Sequence, residues 1–260
     1  MPSLIECRNV TVKREGVVAL NRLNLTIDSN ESVAILGPNG CGKSTFIKAI
    51  TRDVYAFPTG EPSSVKIMGK ELWNVFDLRA QLGIITNDML AVCARWDYPG
   101  REIVTSGFFS SIGIWPCHVV TEEMEARTDE VLRLLQIEHL ADRQLNMMSS
   151  GESRRFMIGR ALIHQPRSLL LDEPTNSLDI RSCHELRDIL RKVVLQGTNI
   201  ILVTHHLPDI LPEISRVVLL RQGQVFDDGP KHDMLVPAKL SELFQTPVEI
   251  VRKDGYYNMW

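Results

Sequence analysis

No stretch of this chain is apolar for anything near the ~20 residues that a membrane-spanning helix needs. Its apolar runs, such as Ser168-Leu-Leu-Leu171 and Asn199-Ile-Ile-Leu-Val203, are strand-sized. The amino-terminal MPSLIECRNV lacks the basic-then-apolar layout of a secretory leader, so neither a membrane-embedded nor a secreted protein is expected. Cysteines are few, odd in number and scattered: Cys7, Cys41, Cys93, Cys117 and Cys183, with no Cys-x-x-Cys. That argues against a disulfide framework or a paired-ligand zinc site and points to reduced thiols in a cytoplasm. A basic surplus is also missing, with 29 Lys+Arg against 32 Asp+Glu and a formal charge of −3. Binding to a phosphate backbone usually needs such a surplus or a basic stripe, so no nucleic-acid partner is expected. What remains is 260 residues, 44% hydrophobic and 23% charged, enough for one large α/β domain or two small ones.

The opening segment reads as strands. Leu23, Leu25 and Ile27 alternate with polar neighbours, and Val33-Ala-Ile-Leu36 is a short run suited to a strand buried on both faces. A helical stretch follows from Phe46 to Arg52, and residues 53–64 are loop. Val65–Met68 and Leu82–Thr86 read as strands around a short helical piece. From 88 to 165 the pattern turns helical: Met124, Val131, Leu134 and Leu135 form one stripe, and Met157, Ile158, Ala161 and Leu162 another. Strands return at Leu169–Leu171, Ile200–Val203 and Val217–Leu220, with a helix from about Arg181 to Leu195. Buried strands alternating with helices predict a mainly parallel sheet. In the tail, Asp254-Gly255 lies between two β-prone runs, a hairpin signal.

Between the buried strand and the first helix lies Gly37-Pro-Asn-Gly40-Cys-Gly42-Lys43-Ser44-Thr45. It fits the phosphate-loop pattern G-x-x-x-x-G-K-[ST], in the strand–loop–helix context that the pattern requires. Glycines let the backbone curl so that Gly37, Pro38, Asn39, Gly40, Cys41, Gly42 and Thr45 surround a polyphosphate. The helix start adds its positive dipole end, Lys43 would neutralise β/γ-phosphate charge, and the Ser44 hydroxyl would ligate Mg²⁺. Alone, this pattern predicts nucleoside triphosphate binding and no more.

Four further motifs follow in order: Met148-Ser149-Ser150-Gly151-Glu152, Leu169-Leu-Leu-Asp172-Glu173-Pro174, Ser177-Leu-Asp179 and Leu202-Val-Thr-His205-His206. With the phosphate loop they resemble the motif series of the ATP-binding cassette (ABC) ATPases, over nearly the whole chain. The resemblance implies an α/β P-loop NTPase fold: a RecA-like core with an antiparallel β-subdomain, plus an α-helical subdomain. On that reading residues 1–246 are the ATPase domain, 88–165 its helical insertion and 247–260 a C-terminal β-hairpin extension. The resemblance implies ATP and Mg²⁺ as cofactors, Asp172 as a metal ligand, Glu173 orienting or deprotonating the attacking water, and His205 as the switch histidine. It also assigns Ser149, Ser150, Gly151, Glu152 and Asp179 to the nucleotide bound by a second cassette, hence a head-to-tail homodimer or paired cassette. The residues support parts of this: Asp172 ends an apolar strand, and Ser149-x-x-Glu152 is a capping box at the start of a basic helix.

Three positions depart from the family pattern. The aromatic expected to stack on adenine is replaced by Arg14, whose planar guanidinium is able to stack on a base. The amide expected after the strand ending at Thr86, a nucleotide- and Mg²⁺-facing position, is Asn87, with Asp88 as a rival. The signature carries Glu152 where the family has glutamine, and its charge is tolerable near phosphate only if the carboxylate turns back onto the helix.

Within the family the chain is similar to stand-alone cassettes labelled molybdenum-transport-ATPase-like. The cluster Phe108, Phe109, Ile112, Ile114 and Trp115 reads as helical-subdomain core or as part of a groove for a permease segment. The expected role is the ATPase subunit of an ABC transporter, cytoplasmic and held at the inner face of the membrane by a separate transmembrane permease. A soluble cassette with a regulatory, non-transport role is the alternative. A P-loop kinase would not need Ser149–Glu152 or Asp179.

Overall fold

The computed structural model describes residues 3–260 apart from residue 94, with the side chains of residues 75, 79 and 93 also set aside; Cys93, expected as a thiol, thus lies outside the described side chains. In chain order the elements are β1 (Ser3–Arg14), β2 (Val17–Asp28), β3 (Val33–Leu36), α1 (Lys43–Ile50), β4 (Ser64–Ile67), α2 (Val75–Gln81), β5 (Leu82–Ile85) and α3 (Asn87–Cys93). Then come α4 (Gly100–Thr105), α5 (Glu122–Leu134), α6 (Ser150–Leu162), β6 (Ser168–Asp172), α7 (Ile180–Leu195), β7 (Asn199–Thr204), β8 (Arg216–Arg221) and β9 (Gln224–Pro230). The chain ends with α8 (Lys231–Met234), α9 (Pro237–Phe244), β10 (Ile250–Lys253) and β11 (Tyr256–Met259). Two units emerge, one of residues 1–73 with 199–260 and one of residues 74–198.

In the first unit β1 pairs antiparallel with β2 and with β4. The β1–β2 turn is Glu15-Gly16, both at positive φ, as a twisted two-residue hairpin demands. β3 runs parallel between β7 and β8, with Leu36 level with Thr204 and with Leu219. All four of its residues are buried, which explains why it reads as a continuous apolar run: neighbouring layers cover both faces. β9 adds antiparallel to β8, and Arg216 on β8 ties the strands together by holding Asp228 and Glu31. β10 and β11 pair antiparallel across Asp254-Gly255, both at positive φ. Burial pushes the Cys7 thiol up to about 12. Cys7, Cys41, Cys117 and Cys183 form no disulfides.

In the second unit β5 and β6 are parallel neighbours, buried along their whole lengths. Of the expected stripe on and after α5, Val131 and Leu135 are fully buried and Met124 and Leu134 half-buried; Thr128 and Leu132 join the buried face. Thr128 is able to enter because its hydroxyl bonds the Met124 carbonyl and meets Thr105 Oγ1 at 3.0 Å. α6 differs more: it is buried on nearly every side, Phe156, Gly159 and Arg160 included. Gly159 admits Val104, Val131 and Leu135 at contact distance, and the Phe156 ring fills the space where Gly100 has no side chain. Arg160 is satisfied at the Ser111 carbonyl through Nε and Nη2 (3.1 and 2.7 Å).

Candidate nucleotide site

The first unit carries the phosphate loop. β3 delivers the chain into Gly37, where a Cβ would sit 2.3 Å from the Leu220 carbonyl oxygen, so only glycine fits. Gly40 and Gly42 have φ of 77° and 109°, a region that side chains disfavour and that lets successive N–H groups converge. Gly42 also lies against the backbone of Ala19, whose oxygen would be 2.6 Å from a Cβ. The loop then opens α1, whose first turn has neither an acidic residue nor a side-chain cap. Those are conditions for an anion at a helix start. Lys43 is 5% exposed, and its Nζ donates to the Gly37 and Pro38 carbonyls at 2.8 and 3.0 Å. The ammonium is thereby held across the mouth of the loop. Ser44 is exposed, whereas Cys41 and Thr45 are buried beneath the loop.

One residue of this cradle is silent in the sequence motif. Gly223, in the β8–β9 turn, donates to the Cys41 carbonyl (2.8 Å) and accepts from Asn21 N–H (2.9 Å). A Cβ there would meet the Ala19 oxygen at 2.6 Å. It backs the phosphate loop from behind, and its only sequence signal is a glycine after a buried strand.

His205 follows β7 in the same unit. It is half-buried, and its ring lies 3.8 Å from that of His206. The buried Thr204 hydroxyl accepts from His206 N–H (2.9 Å) and bonds the Asp209 carboxylate (3.2 Å), closing a small polar turn behind His205. Arg14 is exposed at the tip of β1, beside Lys13, whose ammonium sits 3.9 Å from the Phe57 ring centre.

The second unit carries the carboxylates and the signature. Asp172 closes β6 at 7% exposure. Glu173 follows with φ of 46°, in the left-handed region that side chains seldom adopt. Ser149 caps α6, and the box is complete: Glu152 N–H donates to Ser149 Oγ, and the Glu152 carboxylate accepts from Ser149 N–H. Those bonds, the Ser149 N–H first, hold the Glu152 carboxyl below its usual range. Ser149 and Ser150 remain exposed, while Gly151 is buried against Ser182 at the start of α7. Asp179 caps α7 by accepting from Ser182 N–H (2.7 Å), a bond that lowers its pKa. Arg154 spans the gap from α6 to the carboxylate turn by donating to the Pro174 carbonyl. Asn87 is not in a loop: it is the first residue of α3, half-buried, with Thr86 Oγ1 accepting from Met89 N–H.

Mg²⁺ brought in with a nucleotide asks the protein for only one or two oxygen ligands, the rest being phosphates and waters. An exposed serine hydroxyl at the first turn of α1 and a carboxylate at a strand end are donors of that kind. Among the described residues no three His, Cys, Asp or Glu side chains form a metal cluster.

A family model described as ABC transporter matches residues 20–176. A Streptococcus mutans protein named as an ABC transporter ATP-binding protein is 30% identical over 256 residues, covering 97% of this chain and 96% of the relative. The solved structure of CbiO1 from Clostridium perfringens, part of an ABC transporter complex, matches in fold with a TM-score of 0.76 at 24% identity, over 93% of this chain and 94% of that one. A bacterial ABC transporter cassette solved as a dimer gives a TM-score of 0.69 at 27% identity, over 87% and 98%. With its phosphate loop, Asp172-Glu173 strand end and capped signature helix in family order, the chain belongs to the ABC transporter family as an ATP-binding cassette.

Proposed function

We propose that the chain is a Mg²⁺-dependent ATPase that works as a head-to-tail pair and drives a separate membrane permease. The observation that carries this reading is the exposed start of α6. Ser149 and Ser150 form an anion-binding helix terminus left open to solvent. A second copy would bring its own phosphate loop to that terminus, making each nucleotide site from both chains. Relatives solved as dimers support such pairing.

In the proposed site Lys43 and the N–H groups of Gly40–Ser44 take the phosphates, with Ser44 and Asp172 as the residues that would hold Mg²⁺. The ion would supply charge neutralisation at the β/γ oxygens. Glu173 accepts the proton of the attacking water as general base, and His205 fixes the γ-phosphate against it. Ser149 of the facing copy closes the site over the nucleotide and the attacking water, shutting out bulk solvent. Asp179 holds the start of α7 next to that terminus. Arg14 is assigned to the adenine face and Asn87 to the edge of the metal site.

The permease surface is assigned to Phe108, Phe109 and Trp115. Phe109 stacks on His118 (4.1 Å between centres), Phe108 meets His164 edge-on, and Trp115 is 56% exposed. They are thus half-exposed rather than core, beside an open cleft of about 520 Å³ lined by Phe108, Met124 and Arg127. No described helix is long and apolar enough to cross a membrane; the reading assigns the membrane part to a permease.

The test combines turnover and mass. Glu173→Gln should bind ATP, hydrolyse it at least ~100-fold more slowly and form a dimer with ATP and Mg²⁺ on light scattering. A Glu173→Gln chain that stays monomeric at saturating ATP overturns the paired site. Co-purification with a polytopic membrane protein supports the transport role, and a wholly soluble partner set supports the regulatory alternative.

A further inference from the structure

The C-terminal hairpin packs on the segment that follows His205. A two-stranded hairpin is marginal in water by itself; β10 is exposed from Val251 (51%) to Lys253, and Trp260 after β11 is 80% exposed. Tyr257 is buried, at 5%. β11 lies against the 3₁₀ turn Leu207–Asp209. The hairpin's own turn packs there too, since a Cβ on Gly255 would be 3.1 Å from Pro212 Cβ. Lys231 joins the same assembly from below. Its Nζ donates to the Leu211 and Pro212 carbonyls (3.0 and 2.9 Å) and lies 6.0 Å from the Tyr257 ring, whose other cation, Arg252, is 5.6 Å away.

The covered segment follows directly on His205. Asp209, 3% exposed, bonds Thr204, and Thr204 bonds His206, so residues 204–209 form one closed polar turn around the histidine. Leu207 and Ile210, both fully buried, pin the underside of that turn. β11, with the buried Tyr257, lies against that turn. A buried aromatic beside a turn acts as packing that permits one arrangement; without it the neighbourhood gains a cavity and freedom to shift.

We propose that the C-terminal hairpin, through Tyr257, is a positioning element for the switch histidine, holding the 204–212 turn so that His205 reaches the nucleotide in one orientation. The proposal rests on the ATPase reading above. It makes Tyr257 a positioning residue, not a catalytic one, and it couples anything that grips the hairpin to the hydrolytic step.

The experiment is steady-state ATP hydrolysis by the full chain carrying Tyr257→Ala, Tyr257→Phe, His205→Ala and the double variant Tyr257→Ala/His205→Ala. Tyr257→Ala should lower kcat about tenfold, since small misplacements of a catalytic group are costly, with KM for ATP within about twofold. Tyr257→Phe, which keeps the ring, should restore kcat. In the His205→Ala background Tyr257→Ala should cost nothing further. Unchanged kcat in folded Tyr257→Ala, equal loss in both backgrounds, or a Phe variant as slow as Ala each overturns the proposal. Should Tyr257→Ala fail to fold, Tyr257→Leu takes its place. A wild-type chain without turnover counts against the ATPase reading instead. Positioning is then read from the His205 ring resonance, assigned by its loss in His205→Ala. A shifted or broadened line in Tyr257→Leu supports the proposal, and an unchanged one overturns it.

Discussion

The Glu152 carboxylate accepts hydrogen bonds from both the N–H and the hydroxyl of Ser149, at 2.8 and 2.9 Å, so the acidic residue of the signature faces its own helix start. This accommodates a carboxylate beside the proposed phosphate-binding terminus: its negative end is turned to the local N–H and hydroxyl donors. Glu152→Ala loses one arm of the capping box, about 1 kcal/mol, which lowers Tm by roughly 2–4 °C for a chain of this size. Glu152→Gln keeps the box and removes the charge, so ATP-driven dimerisation should need several-fold less protein. The pH dependence has a definite sign. The folded-state pKa of Glu152 lies below its ordinary value of 4.5, so its contribution to stability is present above about that pH and is lost as pH falls through the folded value. Scanning calorimetry of the Gln variant should show a shallower loss of Tm below about pH 4.5 than the wild-type chain; parallel curves would count against this assignment.

Lys43 gives a second prediction. Its ammonium is buried on the Gly37 and Pro38 carbonyls, so it serves the fold of the loop as well as the charge of a ligand. Lys43→Ala should therefore cost about 1–3 kcal/mol of stability and reduce ATP turnover by at least about 100-fold. Chemical denaturation and a phosphate-release assay separate the two effects.

Gly223 gives a third, which the loop motif itself does not suggest. It has φ of 75° and no room for a Cβ beside Ala19 and Leu20. Gly223→Val should push the β8–β9 turn off Cys41, disturb the phosphate loop and raise the Kd for ATP at least about tenfold. Gly60 has a similar φ, 83°, with nothing within 4 Å of where a Cβ would sit. Gly60→Ala should thus cost only backbone strain, on the order of 1 kcal/mol, and leave ATP affinity unchanged in calorimetric titration.

Those glycines illustrate what the sequence makes legible. The loop Gly37–Thr45 is readable because strand, glycines, lysine and helix are contiguous, and β3, β6 and β7 because strands buried on both faces are apolar without interruption. The capping box is readable for the same reason: its partners are three residues apart. The region 222–246 was not, since β9 is a polar edge strand whose Asp227 and Asp228 pair with Lys239 and Arg216. Nor does periodicity reveal that α6 is buried on nearly every side, because Arg154 and Arg160 read as solvent-facing until their carbonyl partners, Pro174 and Ser111, are seen. Long-range polar satisfaction leaves no local trace in composition.

Arg154 carries the last prediction. It is 7% exposed, sits one turn into α6, and donates to the carbonyl of Pro174, the residue after Glu173. The signature helix and the Glu173 turn are thus joined by the Arg154 guanidinium, and Glu173 keeps its left-handed backbone within a turn braced from α6. Arg154→Met retains the apolar stem and removes the donor. It leaves the Pro174 carbonyl without that bond, at about 1–3 kcal/mol, and lets the Glu173 turn relax. We expect kcat to fall by about 10- to 100-fold with ATP affinity nearly unchanged, because the phosphate loop is untouched. Arg155 is the control. Its ion pair among the described residues is to Glu185 on α7, at 3.6 Å, and that carboxylate is already held by Arg181 at 2.8 Å. Arg155→Met should therefore change kcat by less than about threefold. Equal losses in the two variants would show that α6 merely needs its positive charge, whereas a loss confined to Arg154→Met ties catalysis to the Pro174 contact.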